Sequence, residues 1–400
     1  MNVRSIGRYV IFGALFAVAV STAAHAQTSD DLFDSQTLQE VRLFINSKDL
    51  RDLRERYAEN IYYPADLQWR NIRVRNVSVR VRGVASRSAT KPALRVDFDR
   101  YVTGQTFLGL HSLVLRNNLR DPALIRDRTS MAFIARMGQP APRESFTRLY
   151  INNVYHGLYS LVEEVNAEFL MRTLGESAGY LFDYKWSGPF YAEYPGDNLE
   201  PYKRLFEPRT HELEADSTLY SPIRDLFREV NHDVDSVWRD RVSQYIDLSQ
   251  LVTHVAIETF LADIDGFLGT TGMANFYLYR PADQTVHRLL AWDRDTTFQE
   301  IDSAIFNRTD LNVLFSRALA FADLRALYLG ELERCARSAA EDGWLEAEII
   351  RAAAQIRDAV YEDPVKLFSN EAFDEAVTFM REFARRRPSF VLEAVARARQ

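Results

Sequence analysis

The stretch HSLVLRNNLRDPALIRDRTSMAFIARMG, residues 111–138, contains the point where the sequence changes from a strand pattern to a helix pattern. Its first residues, HSLVLRN, alternate as a strand does. From Asp121 the apolar residues follow a helical period, with Asp121 at the N-cap position, Pro122 at the first helical position and Gly138 as the terminator. The change of period separates a β-rich part of the chain from a mixed and helical part.

The residues before this point predict further strands. LQEVRLFIN (residues 38–46) predicts a strand, and the charged sequence KDLRDLRERYAEN predicts a helix after it. In the stretch WRNIRVRNVSVRVRGVAS the apolar residues alternate at Val77, Val79 and Val81, as in a half-buried strand, and ALRVDFDRY repeats the pattern. We therefore expect a β-rich lobe over about residues 38–120.

The residues after this point predict two hairpins and then helices. FTRLYINNVYHGLYSLVEEVN predicts two strands around a turn at Asn152 and Asn153, and NFYLYR and VHRLLAWD predict a second hairpin. We expect a mixed middle over about residues 121–310 and a helical tail over about residues 311–400. The order predicts one α+β fold of two lobes, with a β-rich N-terminal lobe, a largely helical C-terminal lobe and a ligand cleft between them.

The N-terminus has the pattern of a secretory signal. Arg4 and Arg8 precede an apolar core, and Ala24-His25-Ala26 supplies the small residues of a signal-peptidase site. We predict a signal peptide over residues 1–26, cleavage after Ala26 and a secreted or periplasmic protein. An uncleaved anchor is the alternative. No later stretch approaches the roughly 20 apolar residues of a membrane span, so we expect no stable membrane insertion after cleavage.

Charge and cysteine content narrow the function classes. The formal net charge is −7 over the full chain, and loss of Arg4 and Arg8 with the signal leaves about −9. This balance argues against nucleic acid as the main partner, because phosphate neutralisation requires a basic face. The single cysteine, Cys335, allows no intramolecular disulfide and lies in a helical pattern, where we expect a buried apolar role.

Acidic and amide side chains concentrate around the second hairpin. The set consists of Asp263, Asp265, Asn275, Asp293 and Asp295. A hairpin brings its two ends together, so Asn275 and Asp293 can be neighbours, and carboxylates that meet repel each other unless a cation neutralises them. Oxygen ligands suit a hard cation such as Mg²⁺, Mn²⁺ or Ca²⁺. The open alternative is that these residues only cap helices and form turns.

A second set of candidates is basic. Lys91 lies between two predicted strands, and Arg116 ends another, with Arg120 close to it in sequence. Cations that face a metal-bearing site are what a polyphosphate requires, and the alternative is a solvated basic face. Glu163 and Glu164 follow a predicted strand and either orient a phosphate-binding lysine or start a helix. The sequence contains no GxxxxGK[ST] loop, which excludes a P-loop site.

Together these segments resemble the CotH family, secreted atypical protein kinases first associated with bacterial spore coats. The resembling stretches are VRGVASR…KPALRVDFDRY, GLHSLVLRNNLRDPALIRDR, GQPAPRESFTRLYINNVYHGLYSLVEEVN, DIDGF…NFYLYR and AWDRDTTF. The combination of an Asn-containing hairpin that ends in Glu with a later WD-x-D is specific to this family, because agreement at both by chance is improbable.

The resemblance implies an atypical protein-kinase-like two-lobed fold, ATP as phosphoryl donor, Mg²⁺ or Mn²⁺, and a protein substrate with Ser or Thr. It implies that Asp293 holds the cation with Asn275 and Asp295 as helpers. Asp265 would orient the acceptor hydroxyl, accept its proton or share the metal.

The resemblance also gives the basic candidates a role. Lys91 would bind the nucleotide phosphates, with Glu163 or Glu164 as its partner and Arg116 as a further nucleotide-binding residue. The sequence departs from the family at Ala274, where a second Asn is common, and at Asp263, where Asn is common.

Two other functions remain open from the sequence. A catalytically weak or inactive structural or envelope-assembly protein would keep the fold and lose the transfer. A glycosidase would use two carboxylates about 5 to 10 Å apart, but it would leave the basic residues without a role.

Overall fold

The computed structural model describes residues 26–232 and 234–400. The predicted signal segment before Ala26 lies outside the described residues.

Seven strands of the described chain form a closed barrel: β1 (Leu38–Ile45), β2 (Tyr63–Trp69), β3 (Ile72–Val81), β4 (Leu94–Asp97), β5 (Ser112–Arg116), β6 (Glu144–Ile151) and β7 (Val154–Val162). Their order around the barrel is β1-β2-β3-β4-β5-β7-β6. Neighbouring strands are antiparallel except β1 and β6, a parallel pair in which Leu38 lies opposite Phe146. This parallel pair closes the sheet and removes its free edges.

The alternating pattern fills the barrel interior. Val77, Val79 and Val81 of β3 are all buried, as their spacing predicts. Strand β2 is not predicted by the sequence, because its Pro64 and an acidic residue weaken the strand signal. In β2 the buried residues again alternate, with burial complete at Trp69.

The β6–β7 hairpin confirms the predicted turn. Asn152 and Asn153 have φ values of 51° and 66°, which Asn adopts more readily than other side-chain-bearing residues. These strands lie beyond the predicted lobe boundary at residue 120, yet both belong to the barrel. The β-rich unit extends to Val162, because β6 pairs with β1 and β7 pairs with β5.

A second sheet follows the barrel. Its antiparallel strands are β8 (Tyr180–Tyr184), β9 (Phe206–Pro208), β10 (Phe276–Arg280) and β11 (Arg288–Ala291). Their order is β11-β10-β8-β9, and the β10–β11 hairpin is the second predicted one. Val114 of the barrel packs in one apolar cluster with Tyr277 and Trp292, so the two sheets share a core.

Helices make up most of the remaining chain. They are α1 (Ser29–Leu32), α2 (Ser47–Glu55), α3 (Arg126–Arg136), α4 (Ala167–Leu174), α5 (Glu200–Leu205), α6 (Asp216–Val230), α7 (Asp235–Val242), α8 (Leu248–Phe260), α9 (Val313–Ala318), α10 (Ala322–Ala340), α11 (Trp344–Tyr361) and α12 (Asn370–Ala398). The predicted α+β fold, β-rich first and largely helical later, is confirmed. Cys335 of α10 is buried, as predicted. Within residues 26–232 and 234–400, no helix combines the length and apolar character needed to cross a membrane.

Helix α3 begins later than predicted. Its N-cap position is Ile125, not Asp121. The Asp121 side chain instead accepts hydrogen bonds from the backbone N–H groups of Ala123 at 2.9 Å and Arg126 at 2.8 Å. It therefore stabilises the turn that leads into the helix. Gly138 ends the helix with a φ of 75°, as predicted.

The segment after α11 docks against the barrel. Asp363 is buried, accepts a hydrogen bond from the Leu158 backbone N–H at 3.0 Å and pairs with Lys91 at 2.7 Å. Gly157 lies against the same carboxylate, and a Cβ at this position would be only 2.5 Å from it. The missing side chain at Gly157 allows the C-terminal segment to approach the barrel.

Gly157→Ala is predicted to destabilise the protein more than Gly104→Ala. Both glycines have positive φ, 102° and 75°, but no atom lies within 4 Å of a Cβ built at Gly104. Gly104→Ala should cost about 1–2 kcal/mol of strain, and Gly157→Ala about 2 kcal/mol more, because Asp363 is held in place. Urea unfolding measures both, and equal losses would contradict the close approach.

Candidate active site

A buried arginine joins the barrel to the second sheet. Nη1 of Arg116, the last residue of β5, lies 2.5 Å from Oδ2 of Asp127 on α3 and 2.5 Å from Oδ1 of Asp293 beyond β11. The guanidinium also lies over the Trp292 ring, 5.2 Å from its centroid. Among the described residues, its buried Nε and Nη2 have no hydrogen-bond acceptor. The Arg116 side chain therefore links β5, α3 and the segment after β11, and its Nε and Nη2 groups remain available as hydrogen-bond donors.

The second hairpin positions Asp293 and Asn275 together, as predicted. The register pairs Phe276 with Ala291, which puts Asn275 and Asp293 at the same end of the hairpin. Their φ values are 56° and 54°, in the left-handed region that costs energy for residues with side chains. Asn275 Nδ2 donates to the backbone carbonyl of Asp265 at 2.8 Å. The hairpin end therefore also fixes the loop that carries Asp265.

Arg120 connects the predicted acids. Its Nη1 lies 3.2 Å from Oδ2 of Asp265, and its charge also interacts with Asp293 and Asp295. The predicted acids Asp265, Asp293 and Asp295 thus gather around Arg116 and Arg120. Their functional roles stay predictions.

Asp295 is the least compensated of these acids. Its side chain is buried, and burial together with the nearby Asp293 raises the pKa of Asp295 well above its usual value. Within the described ranges, no hydrogen-bond donor or ion-pair cation contacts its carboxylate. Carboxylates that repel each other beside an amide oxygen fit a hard divalent cation. Of the described residues, no three His, Cys, Asp or Glu side chains are already arranged as a metal site.

Lys91 does not have the environment that the sequence predicted. Its side chain is 1% exposed, its Nζ pairs with Asp363 at 2.7 Å, and it lies 5.4 Å from the centroid of the Tyr159 ring. The predicted pairing with Glu163 or Glu164 is wrong, because the carboxylate comes from the C-terminal segment. This ammonium is already neutralised and does not face the acids of the hairpin.

Glu163 and Glu164 have arginine partners instead. Glu163 accepts hydrogen bonds from Arg143 at 2.7 Å and from Arg172. Glu164 lies between Arg95 at 3.2 Å and Arg209 at 3.1 Å, and it also accepts a hydrogen bond from the Ser112 hydroxyl. Both acids connect the end of β7 to neighbouring elements.

Asp263, one of the two departures from the family pattern, is neutralised inside the protein. Its Oδ2 lies 2.9 Å from Nη1 of the fully buried Arg294, which also pairs with Glu258. Its Oδ1 accepts hydrogen bonds from the Thr296 hydroxyl at 2.9 Å and the Asp265 backbone N–H at 3.1 Å. The extra negative charge therefore positions the Asp265 loop and adds nothing to the hairpin acids. The sequence analysis missed Arg294.

The sequence analysis also missed Asp127 and Glu144. Asp127 Oδ1 accepts a hydrogen bond from the backbone N–H of Arg294 at 2.7 Å, so Asp127 contacts both Arg116 and the segment after Asp293. Burial and the charge of Asp127 raise the pKa of Glu144 well above its ordinary value of 4.5. Burial beside a second carboxylate therefore favours the uncharged form of Glu144.

An open groove of about 720 Å³ lies where β3, β4 and β5 of the barrel face β9 and the start of α4. Its walls include the Arg95–Glu164–Arg209 ion pairs and Ser112. Arg82 interacts electrostatically with Glu164, which lines the groove, and with Asp293 of the hairpin end. Asp265, Asp293 and Asp295 are not among the residues that line the groove. A ligand of nucleotide size fits a groove of this volume.

Comparison with known sequences identifies relatives along most of the chain. A family model described as CotH kinase protein matches residues 79–391. The inner spore coat protein H of Bacillus subtilis is 23% identical over 358 residues, which cover 88% of this chain and 95% of that protein. Invasin CotH3 of Rhizopus delemar is 28% identical over 195 residues, 46% of this chain and 31% of the invasin.

Solved structures are similar only at a low level. A complex of Shewanella oneidensis HipA with HipB and operator DNA matches with a TM-score of 0.32 and 11% identity, over 78% of this chain and 61% of that one. The Helicobacter pylori proinflammatory kinase CtkA matches with a TM-score of 0.30 and 8% identity, over 77% of this chain and 95% of that one. Scores this low do not define the function of the present chain.

Glu144→Gln is predicted to leave the protein at least as stable as wild type at neutral pH, because burial and the charge of Asp127 disfavour a charged side chain at this position and an amide is neutral. In the folded state the pKa of Glu144 is raised, so wild type loses stability as pH rises above about 4.5. The stability of Glu144→Gln relative to wild type should therefore increase with pH above that value. Chemical unfolding at pH 5 and pH 8 measures the trend.

The exposed Glu55→Gln is the matched control for this series, since its carboxyl is in solvent in both states. A Glu144→Gln variant that loses stability relative to wild type as pH rises would show that Glu144 is ionised in the folded protein.

Lys91→Met is predicted to cost about 3–5 kcal/mol, because it leaves Asp363 buried without its cation. The double variant Lys91→Met with Asp363→Asn removes both charges and should recover more than about 1 kcal/mol of that loss. A double-mutant cycle by urea unfolding measures the coupling. Additive losses would mean that the two charges do not interact.

Proposed function

The chain belongs to the CotH kinase protein family, and from this premise we propose that it is an ATP- and divalent-cation-dependent protein kinase. Its acceptor would be a Ser or Thr hydroxyl of a secreted or envelope protein. The observation that carries the proposal is the sharing of the Arg116 guanidinium between Asp127 and Asp293.

The order of elements around Arg116 supports a phosphoryl transferase. A cation at the end of a strand pairs with an acid on the following helix, and a second acid follows a later hairpin, the combination that protein kinases use around the phosphates. Arg116 takes the place of the usual strand lysine, and Asp127 that of the helix acid. The free Nε and Nη2 of Arg116 are suitable donors to phosphate oxygens. Arg116, rather than Lys91, is therefore our candidate for the phosphate-binding cation.

The hairpin end supplies oxygens for a divalent cation. Asp293 is the first candidate ligand, since its side chain is 35% exposed to the cleft. Asp295 and the Oδ1 of Asn275 are the further candidates. A bound Mg²⁺ or Mn²⁺ would neutralise the charge that develops on the transferred group. In its absence Arg116 is the ion-pair partner of Asp293, and the charge of Arg120 also acts on it.

Asp265 is the candidate for the group that orients the acceptor hydroxyl. Its carboxylate is partly exposed, and Arg120 pairs with it on one side. Asp265 would take the hydroxyl proton as the new oxygen–phosphorus bond forms and the bond to the ADP leaving group breaks. The Asn275 side chain and the backbone bond to Asp263 hold this loop in place.

The base and ribose of ATP are assigned to the groove beside Glu164. The groove is polar, and Arg82 interacts electrostatically both with Glu164 in its wall and with Asp293. A nucleotide in the groove would extend its phosphates towards Arg116 and Asp293. We propose a secreted or periplasmic location from the N-terminal signal pattern. The protein substrate is part of the same proposal, and nucleic acid is not a proposed partner.

An inactive envelope-assembly protein is the second candidate. One observation favours it: the Asp293 carboxylate is already neutralised by Arg116 at 2.5 Å, as in an ion pair that only maintains structure. This candidate predicts nucleotide binding at most, without phosphoryl transfer. A measurement of phosphoryl transfer distinguishes the two candidate functions.

Asp293→Asn is predicted to lower phosphoryl transfer at least about 100-fold, because the amide cannot neutralise a bound cation. The measurement is transfer from labelled ATP, with Mg²⁺ or Mn²⁺, to the protein itself or to an added protein. Asp283→Asn is the matched control: Asp283 is exposed at the other end of the same hairpin and should keep activity within about twofold. Wild-type transfer retained in Asp293→Asn would overturn the proposal.

A further inference from the structure

We propose that Arg82 is a second phosphate-binding residue, one that selects nucleotide triphosphates over monophosphates. This inference deepens the proposed function and rests on it. It assigns a ligand-binding role to a residue that the sequence motifs did not single out.

Arg82 lies at the entrance of a loop between β3 and β4. Its backbone N–H donates to the carbonyl of Ala93 at 2.9 Å, which closes the base of the loop, and the following Gly83 has a φ of 93°. Its guanidinium lies over the Trp292 ring, 5.4 Å from the centroid, while Arg116 lies over the same ring at 5.2 Å. Two arginines therefore share one aromatic ring beside Asp293.

The two arginines differ in their partners. Arg116 is paired with two carboxylates, and Arg95, Arg120 and Arg209 also pair with carboxylates. Arg80, which lines the groove, donates to the Tyr62 hydroxyl at 3.0 Å and to the Asn60 side chain at 3.3 Å. In the described part of the chain, the Arg82 side chain has neither a hydrogen-bond acceptor nor a carboxylate at ion-pair distance. Burial lowers the pKa of Arg82, and among the charged groups that act on Arg82 the like charge of Arg116 has the largest effect and lowers this pKa further.

An anion bound in the cleft would offset the repulsion between the charges of Arg82 and Arg116. Arg82 is half-buried, and a half-buried cation next to another cation is unfavourable unless a negative group matches it. A planar guanidinium binds phosphate oxygens with two parallel hydrogen bonds, and Arg116 keeps two donors free beside it. A single phosphate would match the free donors of Arg116, whereas a chain of phosphates can reach both arginines.

The loop that follows Arg82 is held over the same place. Asn117, next to Arg116, donates from Nδ2 to the backbone carbonyls of Ser86 at 2.9 Å and Lys91 at 2.7 Å. These bonds anchor the two halves of the loop to the end of β5. The loop and Arg82 therefore cover the position at which the outer phosphates would lie.

The test compares Arg82→Gln with wild type by calorimetric titration of ATP and of AMP in the presence of Mg²⁺. We expect Arg82→Gln to weaken ATP binding at least about tenfold and AMP binding less than about twofold. Arg82→Lys should fall between wild type and Arg82→Gln for ATP. Arg75→Gln, an exposed substitution on the preceding strand β3 with the same charge change, should bind like wild type.

The melting temperature of the ligand-free protein gives an independent readout. Removal of an unmatched cation should leave it unchanged or raise it, whereas loss of a merely structural arginine would lower it. ATP binding by Arg82→Gln within twofold of wild type, or an equal loss for AMP, would overturn this inference alone. Wild type that binds neither nucleotide would overturn the proposed function as well.

Discussion

One buried positive charge determines the arrangement around the cleft. The Arg116 guanidinium must be matched by Asp127 and Asp293, and Asp293 lies 177 residues further along the chain. A buried charge that loses its partner costs several kcal/mol, so these side chains must meet in the folded protein. The strand, the helix and the hairpin that carry them are fixed relative to one another by this requirement. The acid closest to the proposed chemistry is thus positioned by a structural ion pair.

The segment after β11 divides its charges between two sides. Asp293 faces the cleft, Arg294 is fully buried with Glu258 and Asp263, and Asp295 lies beside Asp293. Arg294 pairs with neither of the two acids beside it in sequence, because its guanidinium lies on the buried side with Glu258 and Asp263. Arg294 anchors the segment from behind and also holds the Asp265 loop. The two loops of the candidate site are therefore parts of one network.

The sequence was sufficient where local rules decide the structure. Alternation predicted the buried valines of β3, and the paired Asn152 and Asn153 predicted their turn. The second hairpin predicted that Asn275 and Asp293 can be neighbours, and its register puts both at the same end. The partner of Lys91 could not be predicted, because Asp363 is 272 residues away in a segment with no pattern of its own. Pairing over such a distance depends on how the helical part packs on the barrel, which no local period encodes.

The cleft combines unmatched charges of both signs. Among the residues that the structure describes, the buried Asp295 has no cation at ion-pair distance, and Arg82 has no carboxylate at that distance. A free phosphate chain would match Arg82 but would repel the acids, and a free divalent cation would do the reverse. A nucleotide that arrives with its cation satisfies both groups at once. We infer that nucleotide and metal bind with positive coupling, since each removes the repulsion that opposes the other.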